Sequence, residues 1–193
     1  MTSGWRVVVI VLTGAIVAAA GFSVYTMLRG EDQSTRPKLA GMENFIPARE
    51  FKPVPPVHFL DEQGNQVSLA RFRGNIVVLN LWATWCTPCL AEMPMLDRLQ
   101  QQLKGVGVVV IALSIDRDGP AAVREFFNRN GIRHLAVYVD PTMRAQSTLT
   151  TFGLPTTILI DKQGRERGRL VGPAEWDDAS AADLVLSANA PVP

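Results

Sequence analysis

Residues 82–94 read Trp-Ala-Thr-Trp-Cys-Thr-Pro-Cys-Leu-Ala-Glu-Met-Pro, and Cys86 and Cys89 within them are the only cysteines of the 193-residue chain. The segment follows an apolar run, Ile76-Val77-Val78-Leu79-Asn80-Leu81. It opens what the spacing of Leu90, Met93, Leu96, Leu99 and Leu103 predicts to be a helix with one apolar side. A thiol at a helix N-terminus faces unpaired backbone N–H groups and the positive end of the macrodipole, which favour the thiolate. The thiolate attacks disulfides, and a second thiol three residues later can displace the mixed disulfide that results. The segment therefore has the parts of a two-electron dithiol/disulfide couple. Cys86 is the nucleophile at the helix tip, Cys89 the resolving thiol one turn in, and Pro88 between them presets φ for the helix start.

A CxxC pair is also half of a zinc site, but closing one takes four ligands. His58 and His134 stand far apart, in no ligand-like spacing, and are read as structural. Met93 and Met95 suit Cu(I) as thioethers, yet their helical positions are equally those of core packing. No metal and no separate cofactor is expected; the redox group is the Cys86–Cys89 pair itself. The net charge of +1 supplies no basic field for nucleic acid.

Outward from the CxxC, turn residues and periodicity lay out the rest. Val57–Leu60 and Gln66–Ser68 flank a turn containing Gly64 and read as a hairpin. Asn75–Trp82 reads as a central strand covered on both faces. The helix from about Cys86 to Leu103 should kink at Pro94 and end at Gly105. A second strand, Val108–Ile115, is followed by a helix capped by Asp118, with Pro120 in its first turn. Leu135–Val139 reads as a short strand and Met143–Leu149 as a short helix. Thr156–Ile160 and Arg165–Val171 form a hairpin, and Ala181, Leu184, Val185 and Ala188 mark a last helix. This order indicates an α/β domain: a central mixed sheet with helices on both faces.

Val7–Leu28 carries no charge and is bounded by Arg6 and Arg29. About 20 apolar residues suffice to cross a bilayer as a helix. Ala18-Ala19-Ala20 offers a cleavage site, but hydrophobicity continues through Phe22, Val24, Tyr25, Met27 and Leu28, which favours a retained anchor. The chain then divides into a short tail (1–6), a transmembrane anchor (7–28), a charged, proline-punctuated tether (29–50), a globular domain (51–190) and a C-terminal tail (191–193).

Several phrases together carry a resemblance. They are the preceding hairpin, Val78 through Cys86, the Pro94-interrupted helix, Gly153-Leu154-Pro155-Thr156-Thr157 with Ile160-Asp161, and Val171-Gly172-Pro173-Ala174-Glu175-Trp176. Over residues 51–190 they make the chain similar to the TlpA/ResA-type membrane-anchored thiol-disulfide oxidoreductases of the thioredoxin superfamily, nearest the TlpA branch. The resemblance implies a thioredoxin-like fold and a cis Pro155 whose exposed backbone pairs with a partner peptide. It implies that Leu154 lines the docking groove, with Trp85, Thr87 and Pro88 around Cys86. Glu92, on the same helix face as Cys89, is expected to be a partly buried acid exchanging protons with the cysteines. Asn80 stands where thioredoxin has a buried acid, which leaves that task to Glu92. The second cysteine pair of some TlpA proteins is missing from the chain.

The implied role is reduction of cysteine-containing protein substrates at copper-delivery and cytochrome oxidase assembly sites. Reduction of apocytochrome c cysteines is the nearest alternative, to be told apart by the docking surface around Pro155 and Trp176. A copper-binding chaperone is the rival of another class. The same resemblance implies a monomer in the bacterial inner membrane, single-pass, with its catalytic domain in the periplasm and a membrane electron donor.

Overall fold

The run Ile76–Trp82 forms a strand, β4, buried along its whole length, so it must have a partner on each edge and cover on each face. In chain order, residues 41–189, which the computed structural model describes, form β1 (Phe45–Pro47), β2 (His58–Asp61), β3 (Gln66–Ser68), a 3-10 turn (Leu69–Phe72) and β4. There follow α1 (Thr87–Gln102), β5 (Val108–Ser114), α2 (Pro120–Asn130), β6 (Tyr138–Val139), α3 (Arg144–Thr148), β7 (Thr156–Ile160), β8 (Glu166–Val171) and α4 (Ala179–Ser187). The strands form one sheet in the order β1-β8-β7-β4-β5-β6-β2-β3. β4 runs parallel to β5 and antiparallel to β7, so the sheet is mixed.

Side-chain alternation along β4 divides the core into two layers. Val78 and Trp82, with Val110 and Ala112 of β5, pack with Met93, Leu96 and Leu99 of α1 and Val185 of α4. Val77, Leu79 and Leu81 pack in the other layer with Phe59, Val67, Ala145 and Leu149. Helices thus cover both faces, as the alternation of elements in the sequence requires.

Three sequence expectations are corrected. Residues 42–47 are not tether: Met42 is 1 % exposed in the core, and β1 pairs antiparallel with β8 from Phe45↔Leu170 to Pro47↔Gly168. Just beyond, the Arg167 guanidinium lies 4.0 Å from the centroid of the Phe51 ring. The strand expected over Leu135–Val139 shortens to Tyr138–Val139. The amides of Arg133, His134 and Leu135 all donate to Asp97 Oδ1 instead, at 3.0, 2.6 and 3.0 Å, a carboxylate taking up what a neighbouring strand would. Asp118 does not cap α2; Gly119 is the N-cap, at φ 75°, and no side chain caps it. Pro120, with no N–H of its own, already removes one of the donors that a cap would satisfy. The anchor expected over 7–28 and the tail at 191–193 lie outside the described residues. Among those described, no helix is long and apolar enough to cross a membrane.

The β1–β8 pairing depends on a close approach at Gly168. A Cβ there would sit 2.4 Å from Phe45 Cζ and 2.7 Å from the Ile46 carbonyl oxygen. Gly168→Ala is therefore expected to push β1 off the sheet at a cost of about 1–3 kcal/mol, lowering the thermal midpoint while the Cys86–Cys89 potential stays unchanged. An unshifted midpoint would mean that β1 is not part of the folded unit.

Candidate active site: a disulfide at a helix tip beside a cis proline

The end of β4 is fixed before the chain reaches the cysteines. The Trp82 ring packs against Phe126 and Phe127 of α2, with centroids 5.2 and 5.8 Å away. Two residues on, Thr84 donates its amide and its hydroxyl to Asp116, at 2.9 and 2.8 Å. Asp116 is buried and also accepts from the Ser114 hydroxyl at 2.6 Å. This clamp aims the next residues at the start of α1. Cys86 is the N-cap, with extended backbone angles and no side-chain capping bond. Its sulfur is joined to that of Cys89, the Cα atoms 5.3 Å apart. Cys86 is 7 % exposed and Cys89 fully buried, the asymmetry that an attacking and a resolving thiol require. Thr87 and Pro88 are exposed. Trp85 is 65 % exposed, so it presents an open aromatic face beside Cys86.

A second segment reaches the same end of the sheet. The antiparallel register of β4 with β7 sets Leu81 opposite Thr156, which brings Pro155 alongside the end of β4. The Leu154–Pro155 peptide is cis. Pro155 is buried and Leu154 half-buried, and the Phe152 ring three residues earlier is 94 % exposed. Thr156 Oγ1 donates to the Gly153 carbonyl at 2.6 Å, and the Gly172 amide to the Pro155 carbonyl at 2.9 Å. Upstream, Arg169 donates to the Leu149 and Thr150 carbonyls at 3.3 Å each and to both oxygens of Glu166. Thr150 takes a positive φ of 53°, and this arginine grips the turn there.

Beneath the disulfide lies Glu92, one turn along α1 from Cys89 and 0 % exposed. Its Oε1 accepts the Ala174 amide at 2.9 Å and the Trp176 indole N–H at 2.6 Å; its Oε2 has no partner among the described residues. Burial disfavours the charged form and lifts the carboxyl to about 7. Bonds from Trp176 and Ala174 and the nearby Asn80 amide oppose that rise, and the Glu175 carboxylate adds to it. Asn80 is itself fully buried and donates Nδ2 to Thr157 Oγ1 at 2.9 Å. Trp176, read in the sequence as docking surface, is 2 % exposed. Its ring is core, and its polar edge is used by Glu92.

His58 and His134 are exposed, and Met93, one turn beyond Cys89 on α1, is fully buried in the core layer under that helix. No group of three or more His, Cys, Asp or Glu able to hold a metal occurs among the described residues. A cavity of about 300 Å³ lined by Val54, Leu69, Phe72 and Val77 sits near the start of β4, at the opposite end of that strand from Cys86. That cavity does not hold the disulfide; at the other end, Cys86 is 7 % exposed among the exposed Trp85, Thr87 and Pro88. Sequence reading missed Asp116, Arg169 and Phe152. Asp116 follows a predicted strand directly, which is a signal for a site-end residue. Arg169 and Phe152 acquire meaning only once β8 and the cis-proline turn are adjacent.

A mixed sheet with a redox disulfide at a helix tip and a cis proline facing it defines a thioredoxin-fold dithiol/disulfide protein. Residues 48–186 match the Redoxin family. The chain is 36 % identical over 124 residues to the thiol-disulfide oxidoreductase ResA of Bacillus anthracis, covering 63 % of this chain and 69 % of that one. To ResA of Geobacillus kaustophilus it is 28 % identical over 167 residues, 84 % of this chain and 85 % of the other. Among solved structures it is similar to a DsbF homologue from Corynebacterium diphtheriae, with TM-score 0.60, 28 % identity, and 80 % and 94 % of the two chains covered. The chain belongs to the Redoxin family and, within the thioredoxin superfamily, to the ResA/TlpA-type proteins. It is a thiol-disulfide oxidoreductase, and its substrates are cysteine-containing proteins.

Glu92 links the site to stability. Its folded-state value, about 7, lies above the ordinary 4.5, so the native state binds the proton more tightly than the unfolded chain does. That contribution is fully present below about pH 4.5 and is lost as pH rises through about 7, roughly 3 kcal/mol in all. Glu92→Gln keeps the Oε1 acceptor and cannot ionise. Urea unfolding at about pH 4.5, 6 and 8 should show wild-type stability falling relative to the variant across that window. Parallel pH profiles for the two proteins would place Glu92 in water.

Proposed function

We propose that this protein reduces disulfides in cysteine-containing partner proteins outside the cytosol, working from the bacterial inner membrane with its catalytic domain in the periplasm. The observation that carries the reading is the stack at one end of the sheet: Cys86 at the helix tip, 7 % exposed, then Cys89 and Glu92, both 0 % exposed, with Glu92 held near neutral titration. The Cys86 thiolate attacks one sulfur of the partner's disulfide, forming the Cys86–partner bond and releasing the other partner sulfur as a thiolate. Glu92 takes the proton from the Cys89 thiol. Cys89 then attacks Cys86 Sγ, closing the Cys86–Cys89 disulfide and releasing the second partner thiol. Two electrons pass to the partner, and a membrane electron donor restores the dithiol.

The docking surface is built from Trp85, Thr87, Pro88 and Leu154, with Pro155 shaping the turn. The Leu154 amide and carbonyl have no hydrogen-bond partner among the described residues, which suits pairing with an extended partner strand. Copper-delivery and cytochrome oxidase assembly proteins are the substrates we propose, on the Val171–Trp176 phrase. The similarity to ResA favours apocytochrome c cysteines as the second reading. Retention of Cu(I) as a chaperone is the less suited alternative, because Met93 is packed into the core.

Trapping in the native host tests the order of attack. Cys89→Ser should accumulate mixed disulfides through Cys86, whereas Cys86→Ser should form none and reduce activity to the uncatalysed level. Equal trapping by the two variants would reverse the roles or remove them. Equilibration with glutathione tests the direction: a reductant requires a potential below roughly −200 mV, toward thioredoxin at about −270 mV and away from DsbA at about −120 mV. A value at the DsbA end would make the protein an oxidant.

A further inference from the structure

The two oxygens of the Glu92 carboxyl are treated differently by the fold. Oε1 receives two N–H groups, from the Trp176 indole and the Ala174 amide; Oε2 receives none. Both donors come from the segment that links β8 to α4, and that segment is gripped by α1 at two levels. At the buried level it meets Glu92; at the exposed level Arg98 binds Asp177, with Nη2 to Oδ2 at 2.6 Å. Trp176 is packed at the same time beside Val78, Leu170 and Leu184, so its indole edge has little freedom to turn away.

An indole nitrogen and a backbone amide are donors only. They bind a carboxylate oxygen well and cannot accept a proton from it, so a proton on Oε1 would have to displace one of them. On Oε2, which accepts no hydrogen bond among the described residues and has the Asn80 amide as its neighbour, it displaces neither of them. Resting on the reading of Glu92 as the proton acceptor for Cys89, we propose that Trp176 is a positioning residue for disulfide exchange: with the Ala174 amide it pins Oε1, confines the exchangeable proton to Oε2, and sets the pH range in which the cysteine pair turns over. The titratable and charged groups around Glu92 are few. Glu175, on the same segment, opposes ionisation, and the Cys86–Cys89 pair lies one turn back on α1. Asn80 of β4 is the neutral neighbour. The device differs from a buried acid placed directly on the strand, because the segment after β8 controls it through two N–H groups, those of Trp176 and Ala174.

The test uses the full chain and oxidised glutathione as a small disulfide, so that partner docking does not enter. Trp176→Phe keeps the aromatic packing and removes the N–H. Losing a donor to the carboxylate favours the protonated form, so the Glu92-dependent inflection in the pH–rate profile should move to higher pH by about one unit, a change of about tenfold in the Glu92 equilibrium. In the wild type, the Trp176 indole ¹H–¹⁵N resonance should titrate with that same inflection, and in Glu92→Gln it should not titrate. The resonance decides the matter if Trp176→Phe fails to fold. A Trp176→Phe profile that overlays the wild type, or a pH-independent indole resonance, overturns the proposal alone if Glu92→Gln still alters the profile. A Glu92→Gln profile identical to wild type removes the role of Glu92 itself, and the role of Trp176 with it.

Discussion

The site exists because β7 lies antiparallel against β4 in one register, Leu81 opposite Thr156 and Asn80 opposite Thr157. That pairing sets the cis-proline turn beside the strand end that delivers Cys86. It also joins Asn80 to Thr157 by a side-chain hydrogen bond beneath α1. Strand register has a period of two, so a slip by one residue would move every side chain of β7 to the opposite face of the sheet. Both faces of β7 are buried, so such a slip would exchange Leu159 and Thr157 with Ile158 and Ile160 between the two core layers and mismatch the packing of each. The hydrophobic core therefore fixes the register, and the register fixes the chemistry.

Within that frame the fold accepts one unfavourable group. A fully buried carboxyl is costly to ionise, and two hydrogen bonds to one oxygen offset only part of the cost. The chain carries other buried carboxylates, and their surroundings differ in kind. Asp97 receives three backbone amides, and Asp116 receives an amide and two hydroxyls. Those acids are saturated with donors and tie loops together. Glu92 is left with an oxygen unpartnered, which makes it poor as glue and useful as a place to put a proton. Functional sites are where local rules of polar satisfaction are broken at a cost in stability.

The site is also divided between rigid and open parts. Trp82, Cys89, Glu92 and Trp176 are locked in the core, whereas Trp85 and Phe152 stand almost free of it. The reacting sulfurs are thus held by the sheet and α1, and the surface offered to a partner comes from turns. An exchange reaction needs this division, since the sulfur to be attacked must be placed accurately while partner sequences vary.

Much of this was legible in the order of residues. An apolar run, a CxxC and an apolar-sided helix are local patterns, and local patterns dictate a buried strand, a redox pair at a helix tip and the α/β class. Glu92 was legible as a candidate because three residues on a helix is a fixed angular distance from Cys89. The rest depended on segments distant in sequence. Phe45–Pro47 is too short and proline-marked to announce a strand, and becomes one only because β8 offers an edge and Gly168 leaves room. Leu135 looked like strand until Asp97, from α1, took its amide. Trp176 carries no sign in the sequence of which way its indole points; the packing of α4 and the segment after β8 turns it inward onto Glu92. The sequence by itself determined which groups could do the chemistry, because reactivity resides in residue type and local spacing. Only the tertiary structure decided the environment of Glu92, because burial and hydrogen-bond partners are properties of neighbours that the chain brings together by folding.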